Sequence, residues 1–219
     1  MNPSATTLSA RESTSAGASD VPVISEGYDE AARQPNAVFV NVYDITTANS
    51  WLWSVGLGVH HAGIQVYGKE YQYGCCEEGN GIRAVEPRHS PPHIFREQFF
   101  VGQTPLRALE VQDLVSRLEE CGAWQGDKYH LVKHNCIHFA HAFCGALLPP
   151  HVRVAQMRAA PPSLYQSAYT EEVEVDGRLY SLPVLIPPHV SRLGNYAAAY
   201  LPEAVLQTLH SMGNPFSTP

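Results

Sequence analysis

The sequence lacks a basic run. Its 14 Lys and Arg are outnumbered by 21 Asp and Glu, for a net charge of −7. With nothing to neutralise a phosphate backbone, nucleic acid is not expected as a partner. A run of about 18 apolar residues is also missing, so no membrane-spanning helix and no stable membrane insertion are expected. The first 34 residues have no apolar core of a secretory signal, and Arg11 is followed at once by Glu12. That is unlike the arginine-rich, acid-poor presequences of mitochondria. Phosphate loops and dinucleotide fingerprints are absent. The five cysteines (Cys75, Cys76, Cys121, Cys136, Cys144) are odd in number and lack C-x2-C spacing. Free thiols in a reducing compartment, cytoplasmic or nuclear, are therefore expected, with no disulfide framework, metal or cofactor.

What is present suits one α+β domain with appendages. The chain has 219 residues and is 44% hydrophobic. Residues 1–34 are Ser/Thr/Ala-rich and read as a disordered tail. Strands are expected at Ala37–Asp44, around Ile64–Tyr67, at Glu70–Tyr73, Ile82–Val85 and Phe95–Val101. Gly68-Lys69 is the expected turn of the first hairpin. Trp51–Gly58, apolar and broken by two glycines, reads as a loop that could line a groove. A helix is expected over Leu109–Cys121, stopped by Gly122 in the left-handed region. Asp176-Gly177 centres a second hairpin. The motif Leu-Leu-Pro-Pro-His-Val returns as Leu-Ile-Pro-Pro-His-Val at 185–190. The chain accordingly divides into a core at 35–148, an insertion with a hairpin at 149–184, a resumed core at 185–210 and a tail at 211–219.

The stretch His134-Asn135-Cys136-Ile137-His138-Phe139 carries the chemistry. Asn135 is a good N-cap. Cys136 then falls in the first turn, where the helix dipole favours a thiolate and should ease loss of its proton. Phe139, Ala140, Phe143 and Leu147 mark one apolar face, and Gly145 with Pro149-Pro150 should end the helix. His61, 75 residues upstream (136 − 61), is a candidate base for a thiol nucleophile that attacks an acyl carbonyl. On residue types alone the plainer reading outweighs this one. A first-turn cysteine is more often a small core residue than a nucleophile, and a strand histidine more often a packed or surface residue.

Four blocks in order alter that balance: Val42–Ile45, Gly58–Gly68, Glu70–Gly74 and Tyr129–Phe139. Together they resemble the PPPDE family of peptidases, the DeSI-type isopeptidases. The resemblance implies a circularly permuted papain-like cysteine peptidase fold, with a small curved antiparallel sheet packed on helices. It implies a Cys–His dyad that falls on Cys136 and His61, not His60. It also implies cleavage of isopeptide bonds between a ubiquitin-like modifier (SUMO or ubiquitin) and a target lysine, with modifier conjugates as partners. Ile137 departs from the family's usual Asn-Cys-Asn. Two alternatives stay open: a palmitoyl-protein thioesterase using the same dyad, and a catalytically inactive binding module. Asn135, Asp44 and Tyr43 are candidate supporting residues, Asp44 only if its loop folds back to orient His61. His138 and His141 share a helix face, but a satisfied or solvated pair is expected there and not a metal site.

Overall fold

The computed structural model describes residues 26–45, 60–159 and 169–190. The Trp51–Gly58 loop, the first 25 residues, most of the resumed core and the C-terminal tail lie outside the described residues. The elements in order are α1 (Glu26–Arg33), β1 (Ala37–Asp44), β2 (His60–Val66), β3 (Lys69–Tyr73), β4 (Ile82–Val85), β5 (Ile94–Gln103) and α2 (Ala108–Glu120). They continue with α3 (Cys136–Leu147), α4 (Pro150–Ala159), β6 (Thr170–Val175) and β7 (Arg178–Pro183). The expected α+β class, with a small antiparallel sheet and packed helices, is what the chain forms.

The main sheet has the order β4-β3-β2-β1-β5, every pair antiparallel. Strand alternation sorts its side chains onto two faces. Val38, Val40 and Val42 of β1 lie on one face with Ala62, Ile64 and Val66 of β2, and Tyr71 and Tyr73 of β3 join them in the core. Helix α3 covers that face with Phe139, Ala140, Phe143 and Leu147, all fully buried. Truncating a phenylalanine so enclosed costs about 3–5 kcal/mol. The opposite face carries Asn41, Tyr43, His61, Glu70 and Gln72. These polar residues are buried too, because the β4–β5 connection folds over them: the Arg88 N–H reaches Glu70, and Ser90 reaches Gln72.

Several local expectations shift. The β2–β3 turn uses Tyr67-Gly68, both with positive φ (50° and 72°), and not Gly68-Lys69. A two-residue turn of this hand suits the strand twist, and Val66 pairs with Lys69 across it. Gly145 lies inside α3, which runs on to Leu147. Residues 26–33 of the expected tail form α1, and the Ala31 carbonyl accepts from Gln103 of β5 at 3.3 Å. The segment after Pro149 opens as α4, since proline is well suited to a first helical position. The Asp176-Gly177 hairpin forms as expected, with φ of 51° and 72° at the turn. Gly122 takes the left-handed conformation expected of it (φ 70°).

Candidate active site

Asn135 precedes α3 in an extended conformation (φ −128°, ψ −174°). Its Oδ1 accepts from the N–H groups of Ile137 (3.0 Å) and His138 (3.2 Å). Its Nδ2 donates to the Leu131 carbonyl at 2.6 Å. The Asn135 N–H in turn reaches His138 Nδ1 at 3.3 Å, closing a capping box. Asn135 therefore braces the start of the helix at both ends of its amide. Ile137, the departure from the family motif, is half-buried and packs on the hydrophobic core.

The Cys136 side chain is buried, with 3% of the residue exposed. Its sulfur accepts hydrogen bonds from the Ala62 N–H and the Tyr129 hydroxyl, and lies near the N–H groups of Ile137 and of Cys136 itself. Burial pushes the thiol above its ordinary range, and these donors pull it back only in part. The easier ionisation expected at a helix N-terminus is thus corrected: desolvation of the thiolate outweighs the dipole. Tyr129 is buried as well, and burial followed by the neighbouring Cys136 raises its pKa, so it stays a donor.

The Ala62 contact places the thiol beside β2 one residue past the last β2–β3 pair, Gly63 with Gln72. His61 is the preceding residue. It is buried (1% exposed), with its ring 5.0 Å from that of His93 and 6.0 Å from that of Tyr43. Burial, then His93, pushes its pKa down to about 3, against a hydrogen bond to Gln72. Near neutral pH, thiol and imidazole are both uncharged.

The supporting candidates separate. Asp44 lies opposite His60 in the β1–β2 register, its Oδ1 3.3 Å from His60 Nδ1, and it pairs with Arg96 at 3.1 Å. Alternation puts it on the other face from His61, so the expected orienting contact is not the one it makes. Tyr43 is the cross-strand neighbour of His61, and its hydroxyl donates to Glu70 at 2.7 and 2.8 Å. It packs beside the imidazole, ring to ring.

A family model described as "PPPDE putative peptidase domain" matches residues 36–160. The chain belongs to the PPPDE peptidase family. A DeSI-like protein of Arabidopsis thaliana is 33% identical over 162 residues, covering 64% of this chain and 70% of its own length. The desumoylating isopeptidase 1 homolog of Caenorhabditis elegans is 32% identical, covering 61% of this chain and 42% of its own length. The DeSI-like protein sdu1 of Schizosaccharomyces pombe is 30% identical, covering 58% and 68%. The PPPDE match runs past residue 148 and takes in α4, whose Gln156 is bonded to both the N–H and the carbonyl of Gln103 in β5. Among the described residues no helix is long and apolar enough to cross a membrane.

A cleft of about 190 Å3 opens beside His61, lined among others by Gln72, Tyr73, Gly74, Arg83 and Ser90. Sequence reading missed Gln72, Glu70, His93 and Tyr129. Tyr129 left a signal, as the aromatic carried toward the cysteine helix inside the matching block. Glu70 and Gln72 alternate with Tyr71 and Tyr73, the pattern of a strand with one wet face.

Proposed function

We infer that this PPPDE peptidase is a cysteine isopeptidase, with Cys136 as nucleophile and His61 as base, acting on a ubiquitin-like modifier joined to a lysine. The observation that carries the reading is the hydrogen bond from the Ala62 N–H to the Cys136 sulfur. It sets the thiol against the residue next to His61, at the start of a buried helix.

Both groups rest uncharged, so the thiol proton passes to His61 as sulfur attacks the isopeptide carbonyl. The Cys136 N–H, at the open end of α3, is the donor offered to the oxyanion. His61 then gives its proton to the departing lysine amine. Water, deprotonated by His61, hydrolyses the thioester and restores the thiol. A diglycine tail suits approach to so buried a thiol, because glycine adds no side chain to be accommodated. The names of the relatives support the substrate class, since one is a desumoylating isopeptidase homolog.

The test is a set of fluorogenic C-terminal amides of SUMO and of ubiquitin, assayed beside a palmitoyl thioester. Hydrolysis of a modifier amide, lost in Cys136→Ala and in His61→Ala, is expected. Cleavage of the thioester alone contradicts the isopeptidase reading, and no cleavage with Cys136 labelling no faster than Cys121 contradicts the dyad.

A further inference from the structure

The face of the sheet that carries His61 holds a buried carboxylate with no role in the chemistry above. Glu70 is fully buried. Its oxygens accept from Asn41 Nδ2, from the Tyr43 hydroxyl (2.7 and 2.8 Å), from the Arg88 N–H (2.8 Å) and from Gln72 Nε2 (2.7 Å). Gly63 lies directly beneath: a Cβ there would come within 2.1 Å of Glu70 Oε1 and 2.9 Å of Gln72 Cγ. The backbone is bare where this network crosses β2.

The carboxylate settles which way the Gln72 amide points. Glu70 accepts from Asn41, Tyr43 and the Arg88 N–H as well, so the Gln72 nitrogen faces it and the Gln72 oxygen faces the other way. That oxygen accepts from Ser90 Oγ at 2.8 Å, within a buried pair. Gln72 also hydrogen-bonds His61, which lies diagonally across the register on the same face. With its oxygen on that side, Gln72 can only accept from a ring N–H.

We propose that Gln72 is the positioning residue of His61: anchored on Glu70, it fixes the proton on one ring nitrogen and leaves the other to take the thiol proton. This rests on the dyad, and it adds a relay from Glu70 through Gln72 to the imidazole, in which an amide stands where a carboxylate would charge the site. Gln72 does not touch the reacting atoms. The other titratable or charged groups recorded beside His61 are Tyr43 from β1, Arg83 from β4 and His93 from the β4–β5 connection. The cleft adds Glu86 and His89.

The test uses the full chain with 15N-labelled histidine, read by NMR of the His61 ring, together with kcat and KM on the modifier amides. Gln72→Met keeps the volume and removes both polar ends. Gln72→Glu, sharing a proton with Glu70, can still donate to it and accept from His61. The wild type should show one His61 tautomer. Gln72→Met should mix the tautomers and lower kcat about tenfold or more with KM little changed, consistent with loss of an aligned base. Gln72→Glu should keep the single tautomer and recover most of kcat. An unchanged His61 spectrum in Gln72→Met, or equal losses in both folded variants, overturns the proposal. Activity surviving Cys136→Ala would instead sink the dyad, and the ring spectra would still report on Gln72.

Discussion

At the scale of single residues, Cys136 and His61 are both held uncharged by burial, and neighbouring groups tune each of them. For the thiol these are the Ala62 N–H and the Tyr129 hydroxyl, of which Tyr129 can be substituted without touching the backbone. Its hydroxyl donates to the sulfur and stabilises the thiolate, so Tyr129→Phe should raise the thiol pKa further. The pH dependence of iodoacetamide alkylation at Cys136 measures this directly. For His61 the consequence is linkage. Its folded pKa of about 3 lies below the ordinary 6.5, so its contribution to stability is present above pH 6.5 and is lost as pH falls toward 3. Between pH 6.5 and 5 that loss is about 2 kcal/mol. His60 and His93 are also shifted down by burial, and act in the same direction. Urea unfolding at pH 7 and pH 5 should show the loss, and His93→Phe should reduce it.

At the scale of elements, the fold is legible where a signal is local. Asn135 capping α3, Gly122 after α2 and Asp176-Gly177 between β6 and β7 depend on a few neighbouring residues, and each does what its sequence says. The strands β1 and β4 are where their β-branched and aromatic residues place them. Elements that depend on distant partners were hidden. Helix α1 is short and polar and rests on β5 through Gln103; α4 is tied to β5 through Gln156. The polar face of the sheet is the clearest instance. Asn41, Glu70 and Gln98 are far apart in the chain, and only the register brings Gln98 to Asn41 (2.7 Å) and Asn41 to Glu70. For the same reason Asp44 could not be assigned to His60 over His61 until β1 and β2 were aligned. Gly63 tests this layer. Gly63→Ala forces a methyl into the Glu70–Gln72 contact and should cost about 1–3 kcal/mol, seen as a lower thermal midpoint. Asn135→Ala should cost about 1 kcal/mol through loss of the cap.

At the scale of the whole molecule, the PPPDE core and the β6–β7 hairpin meet at α4. Arg153 donates to the Pro183 carbonyl and pairs with Glu171 at 2.7 Å, while Arg158 donates to the Tyr180 hydroxyl at 2.7 Å. Leu182 is fully buried, so the hairpin is packed down and not merely tethered. Arg153→Ala should raise amide hydrogen exchange across 170–183 and leave β1 and β2 protected. The hairpin lies past the C-terminal end of α3, whereas Cys136 is at its start, so this substitution should leave turnover of the modifier amides unchanged.

Pairing of Cys136 with His61 would show in the reactivity of the thiol toward a modifier-shaped probe. SUMO and ubiquitin carrying a thiol-reactive group in place of the C-terminal carboxylate would be mixed with the wild type and with His61→Ala, and the adduct mapped by mass spectrometry with its rate. A single adduct on Cys136, slowed about a hundredfold or more in His61→Ala, is the predicted result, in line with the usual contribution of a general base. Labelling at Cys75, Cys76 or Cys121, or a Cys136 rate indifferent to His61, would contradict it.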